Sequence, residues 1–194
     1  DDDQKLNLGG EEREVTVLFS DIRGFTAMSE KMKPKEVVTT LNSYFSEMID
    51  IIFKFDGTLD KIVGDELMVV FGAPIARDDD AERAVKTAIG MVESLKRFNE
   101  KRVKKGKVPI NAGIGINKGK VISGNIGSKD QMDYTVIGDT VNLGARLCSF
   151  AGPLKIIISK SVKNEIGDDY KTRKLEAIKV KGKRKPVEIF KVLT

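Results

Sequence analysis

The chain has 194 residues, of which 40% are hydrophobic and 32% charged, with a net charge of +5, a single cysteine and no histidine. A chain of this length can bury a core of its own, and it contains no apolar run of about 18 residues, which excludes a membrane-spanning helix. One Cys and no His exclude an internal disulfide, a Cys/His zinc site and any Ser-His-Asp or Cys-His mechanism, so proton transfer near neutral pH must use a carboxylate, a lysine, a metal-activated oxygen or the substrate.

The charge is uneven. Residues 151–194 hold 12 Lys and Arg against 5 Asp and Glu, a local balance of +7, and the rest of the chain is slightly acidic at −2. Such a basic tail suits an anionic ligand, a nucleic acid or an acidic partner face. The chain opens at Asp1 with no signal-peptide pattern, and it reads as a cytoplasmic domain cut from a longer protein.

Residues 1–12 are polar and read as a linker, followed by a single domain over 13–194. Glu14–Ser20 alternates and then turns apolar, predicting a buried strand that ends at Asp21. Gly24, Phe25 and Thr26 then open a helix. The spacing of Val37, Leu41, Tyr44, Met48 and Ile51 predicts a longer helix over 35–53, stopped by Asp56-Gly57. Thr58–Val63 and Glu66–Phe71 read as a hairpin turning at Gly64-Asp65. Asp79 and Glu82 resemble a capping box for a helix that buries Ala81, Val85, Ala88, Val92 and Leu95. Residues 101–107, KRVKKGK, read as a solvated connection. Pro109–Ile116 and Lys120–Ile126 predict a second strand pair across Asn117-Lys118-Gly119. Thr135–Ile137 predicts a short strand leading into a helix at Asp139. The last forty-odd residues read as strand, helix, strand, strand, with a final turn near 182–186. The succession predicts an α+β class fold, a ferredoxin-like βαββαβ core sandwich with an added C-terminal β-α-β-β segment.

The residues with chemistry begin with Asp21 and Asp65. A carboxylate at the end of a buried strand is costly unless it is paired or binds a cation, and two of them suit Mg²⁺ sharing phosphate oxygens. Backbone N–H groups at the helix start beside Asp21 favour such oxygens. Each acid has a plainer use, Asp21 as a helix cap and Asp65 as a turn residue. Strand alternation places Glu66 on the face opposite Asp65. Asn142 and Arg146, four apart, share one helix face, while Val141, Ala145 and Cys148 occupy another; an amide and a guanidinium there suit a sugar edge and a phosphate, or merely solvent. Lys61 lies between Leu59 and Val63 in its strand, either inward, where a purine nitrogen would accept from it, or edge-exposed. The lysines of VKGK at 180–183 suit a soluble turn equally well. Neither a Walker pattern nor G-x-G-x-x-G occurs.

Taken together and in this order, FSDIRGFT, DKIVGDELMVVFG, NAGIGINKGKVISGNIG, YTVIGDTVNLGARL and VKGK resemble the class III nucleotidyl cyclase catalytic domain, from about Glu12 to the C-terminus. The resemblance implies a polymerase-palm-like core and a homodimer with two shared sites. In each site Asp21, Asp65 and the Ile22 carbonyl of one chain hold two Mg²⁺, for which Mn²⁺ substitutes. Lys61, Thr135, Asn142, Arg146 and Lys181 come from the other chain. It implies conversion of ATP to cyclic AMP and pyrophosphate. Lys61 and Thr135 read adenine, Asn142 orients the ribose, Arg146 meets the α-phosphate in the transition state, and Lys181 contacts the triphosphate. Gly24, Phe25 and Thr26 lie beside the phosphates, and Lys129 is the one basic residue in a segment where the family often places an Arg. Gly144-Ala145-Arg146 departs from the usual Ala-Ser-Arg. Thr135 in place of Asp resembles the subgroup often stimulated by bicarbonate. The alternatives are a guanylyl cyclase, whose members typically carry Glu and Cys at the two base-reading positions, and a non-catalytic nucleotide-sensing dimerisation module. No nucleic-acid motif and no aromatic stacking pattern support a nucleic-acid partner.

Overall fold

The computed structural model describes residues 10–128 and 131–194. In chain order the elements are β1 (Glu11–Ile22), α1 (Phe25–Ser29), α2 (Pro34–Lys54), β2 (Thr58–Val63), β3 (Glu66–Phe71), α3 (Asp80–Lys104), β4 (Ala112–Gly127), β5 (Met132–Ile137), α4 (Asp139–Phe150), β6 (Ile156–Ser159), α5 (Lys160–Ile166), β7 (Thr172–Lys174) and β8 (Ile189–Val192). One sheet runs β2-β3-β1-β4-β6-β8-β7, with β5 also paired to β4. This is the α+β class that the sequence predicts, including the added C-terminal strand, helix, strand, strand.

Every residue from Val15 to Ser20 of β1 is buried, because both faces of the strand are covered. Strand alternation sorts the two layers. Leu18 and Ile22 join Leu67, Val69, Ile114 and Ile116 in the main core beneath α2 and α3, which supply Tyr44, Met48, Ile52, Ala81, Val85, Ala88 and Leu95. Val15, Val17 and Phe19 face the other way and join Met68 and Val70 with Val136 of β5 and Cys148 of α4. In α2 the buried stripe is Thr40, Tyr44, Met48 and Ile52, and Val37, Leu41 and Ile51 of the predicted face are only partly buried.

Several expectations are corrected. Glu11 and Glu12, placed in the linker from sequence, are strand residues opposite Ser123 and Ile122; residues 1–9 of that linker lie outside the described residues. The Asn117-Lys118-Gly119 turn does not form. β4 is one unbroken 16-residue strand, antiparallel to β1 from Glu11↔Ser123 to Ile22↔Ala112. The turn-like residues serve packing instead. Buried Asn117 donates its side-chain amide to the Thr140 carbonyl (2.9 Å), and a Cβ on Gly119 would lie 2.7 Å from the Thr140 hydroxyl. The hairpin in this region joins β4 to β5, Gly127 opposite Met132. Residues 101–104 continue α3, because Arg102 is buried, bonds the Val108 carbonyl (2.9 Å) and stacks on Phe98. The start of α3 is held by an ion network and not by a capping box: Arg83 bonds Asp79 and Asp80, and Asp80 accepts from the Arg77 N–H.

Candidate active site

β1 delivers Asp21 to the end of the sheet on the α4-facing side, in step with Val17 and Phe19. The two-residue turn between β2 and β3 carries Asp65, with Gly64 in the left-handed conformation (φ 62°) that a glycine tolerates. The adjacent β1–β3 pairing, Ser20↔Leu67, brings that turn beside the end of β1. The backbone N–H of Ile22 donates to the Asp65 carboxylate at 3.1 Å, and Asp65 is close enough to Asp21 to raise its pKa. The fold therefore brings the sequence-predicted pair together.

Asp21 is pushed up to about 7, first by burial and then by the hydrogen bond and charge of Asp65; Arg23 opposes the rise, and Glu66 adds to it. Burial and the charge of Asp65 raise Glu66 as well. Alternation does separate Glu66 from the turn, but it turns Glu66 to the face of Met68 and Val70, which is also that of Asp21. Two carboxyls held close together, with the Ile22 backbone beside them, form an oxygen-donor set that fits a hard divalent ion such as Mg²⁺.

Arg23 is the functional residue that sequence reasoning missed. Its guanidinium lies 3.7 Å from Asp21 and donates to the Cys148 carbonyl (2.9 Å) and the Ser149 carbonyl (3.4 Å) in the last turn of α4. A cation suits a helix C-terminus, so one side chain both offsets the acids and ties α4 to the end of β1. The signal available in the sequence was only its nearness: Arg23 stands two residues from Asp21, in the turn that follows β1.

Gly24, in the left-handed conformation (φ 69°), turns the chain into α1, which is a single turn of five residues. Phe25 packs partly against the main core, and Thr26 is exposed.

The base-reading pair is brought together by the tertiary fold. At Asp60 the β2–β3 register slips, from Leu59↔Val69 to Lys61↔Met68, so Asp60 is the extra residue of a bulge. Lys61 is therefore half-exposed rather than inward, with Nζ 3.5 Å from the Asp60 carboxylate. Thr135 of β5 is buried and donates its hydroxyl to the same carboxylate at 2.8 Å.

Asn142 and Arg146 lie on the exposed face of α4, whose buried side is Thr140, Leu143, Gly144, Leu147 and Cys148, a stripe rotated from the predicted one. They line, with Lys181 and Asp139, one open cavity of about 340 Å³, and neither Asp21 nor Asp65 is part of its lining. Lys183 pairs with Asp139 at the rim. Lys129 lies outside the described residues.

The geometry divides into two parts, an acidic pair at one end of β1 and a basic and amide-bearing set on β2, β5, α4 and the 181 turn. The chain is 36% identical to an adenylate cyclase of Anabaena cylindrica over 93% of its own length, and it spans about a third (37%) of that relative. Among solved structures, the adenylyl cyclase CyaB from P. aeruginosa matches with a TM-score of 0.93 and 39% identity, covering 96% of this chain and 97% of the other. The guanylyl cyclase Cya2 matches with a TM-score of 0.88 and 41% identity, covering 95% and 93%. A family model described as the adenylate and guanylate cyclase catalytic domain matches residues 10–193, and the chain belongs to that family, the class III nucleotidyl cyclases.

Proposed function

We propose that two copies of this chain convert ATP to 3′,5′-cyclic AMP and pyrophosphate in sites shared across a two-fold interface. The observation that carries the reading is the Asp21–Asp65 pair, two carboxyls forced together at a strand end with the Ile22 backbone beside them. Asp21, Asp65 and the Ile22 carbonyl would hold Mg²⁺ or Mn²⁺. When bound, the metal would supply charge neutralisation for the triphosphate and acidify the ribose 3′-hydroxyl.

The chain's own residues do the rest. Lys61 donates to a purine ring nitrogen, and Thr135 meets the exocyclic group beside it. Asn142 orients the ribose so that the 3′-oxygen stands in line with the α-phosphorus. Arg146 meets the charge that grows on the α-phosphate as the bond to the bridging oxygen breaks, and Lys181 holds the departing pyrophosphate. Arg23 opposes the protonation of Asp21. With no histidine in the chain, no imidazole takes part.

The 41% identity to Cya2 favours a guanylyl cyclase as the second reading. Turnover of ATP and GTP, measured side by side with Mg²⁺ and with Mn²⁺, tests both. ATP is expected to be preferred, with Asp21→Ala and Asp65→Ala inactive. A preference for GTP overturns the nucleotide assignment, and substantial product from either variant overturns the site.

A further inference from the structure

Asp60 is not among the residues that the site above uses, yet it joins two of them. Its carboxylate is only 5% exposed and, among the described residues, meets the Thr135 hydroxyl at 2.8 Å and Lys61 Nζ at 3.5 Å and no arginine. The bulge is what turns it there. In a regular β2, Asp60 would sit opposite a β3 residue; with the register slipped, it is the extra residue and reaches inward. On the other side, the sheet must curl back on itself. β5 and β2 are separated in the hydrogen-bonded order by β4, β1 and β3, a path of about 19 Å if the sheet were flat, at about 4.8 Å per strand. Two long-range features therefore converge on one buried carboxylate.

The consequence is a hydrogen-bond polarity. A carboxylate only accepts, so Thr135 spends its single proton on Asp60, and its oxygen is left with acceptor capacity alone. The same carboxylate draws the Lys61 ammonium toward it, a group that only donates. The pair thus presents one acceptor and one donor. Adenine offers the complement, an exocyclic amino group that donates and a ring N1 that accepts. Guanine offers the reverse, a carbonyl and an N1–H. We infer that Asp60 is the positioning residue that sets the purine specificity of this site, by holding Thr135 as an acceptor and Lys61 as its neighbouring donor. The inference rests on the base-reading role proposed above for Lys61 and Thr135.

The test compares kcat/KM for ATP and for GTP in the wild type, Asp60→Asn, Thr135→Val and the double variant. An asparagine can turn its amide toward the hydroxyl and donate, which frees Thr135 to donate in turn and so to accept a guanine carbonyl as partner. The ATP:GTP ratio is expected to fall about tenfold or more in Asp60→Asn, the size of one reversed hydrogen bond, and to fall no further when Asp60→Asn is added to Thr135→Val. Inhibition by inorganic tripolyphosphate, which lacks a base, should be unchanged. A structural role alone would lower both nucleotides together and leave the ratio in place, and that outcome overturns the inference. If Asp60→Asn fails to fold, Asp60→Ser is read by the same ratio. A wild type that prefers GTP sinks the base-reading assignment itself; a wild type that prefers ATP with a ratio indifferent to Asp60 sinks only this inference.

Discussion

Asp21 is a residue whose chemistry works against the fold that holds it. Its folded-state value near 7 lies above its ordinary 3.8, because burial and Asp65 disfavour the ionised form. The folded chain therefore holds a proton that the unfolded chain releases, and stability must fall as pH rises through that window. Asp21→Asn should remove this dependence: the metal-free variant is expected to melt higher than the wild type at pH 8, to match it more closely near pH 4, and to produce no cyclic nucleotide. Thermal melts in chelator at the two pH values check it, and a variant less stable at pH 8 would show that the two acids do not repel in the native state. Arg23 explains why the native site tolerates the pair at all, since it is the one cation within 4 Å of Asp21 among the described residues.

At the scale of elements, α4 carries Asn142 and Arg146, and its height above the sheet is set by glycines. A Cβ on Gly144 would lie 2.7 Å from Val17 Cγ2 and 3.1 Å from the Phe19 ring. The departure from the common Ala-Ser-Arg is thus matched by close contact with β1. Gly144→Ala gains up to about 1 kcal/mol of helix propensity but overpacks this face at a cost of about 1–3 kcal/mol. A net loss is expected, read as a lower urea midpoint at unchanged slope, together with reduced turnover as Arg146 is lifted; a variant as stable as the wild type would mean that α4 docks less closely. The long helices were legible from their apolar spacing, and so was the β2–β3 hairpin from Gly64-Asp65. The continuity of β4 was not. Asn117, Lys118 and Gly119 have turn chemistry, and only the pairing of β1 along its whole length, with Thr140 seated against them, keeps the strand straight.

For the whole molecule, the two parts of the site are expected to meet between chains. Asp21→Ala and Arg146→Ala should each be inactive alone, and mixing them should restore activity, because one of the two sites in a mixed dimer draws both intact parts. Random pairing gives about half mixed dimers with one good site in two, so recovery of about a quarter of wild-type activity is expected from two-fold geometry. A mixture as dead as its components would place the complete site within one chain.

How far the chain could be read from its residues follows from which interactions are local. Apolar period, glycine turns and the five motifs concern neighbours within a few positions, and they were enough to identify the family, the acidic pair and the face shared by Asn142 and Arg146. The bulge at Asp60, the curl that brings Thr135 to it and the reach of Arg23 to the end of α4 join residues up to 126 positions apart. Those contacts depend on register and sheet twist summed over several strands, and no short stretch of sequence contains that sum.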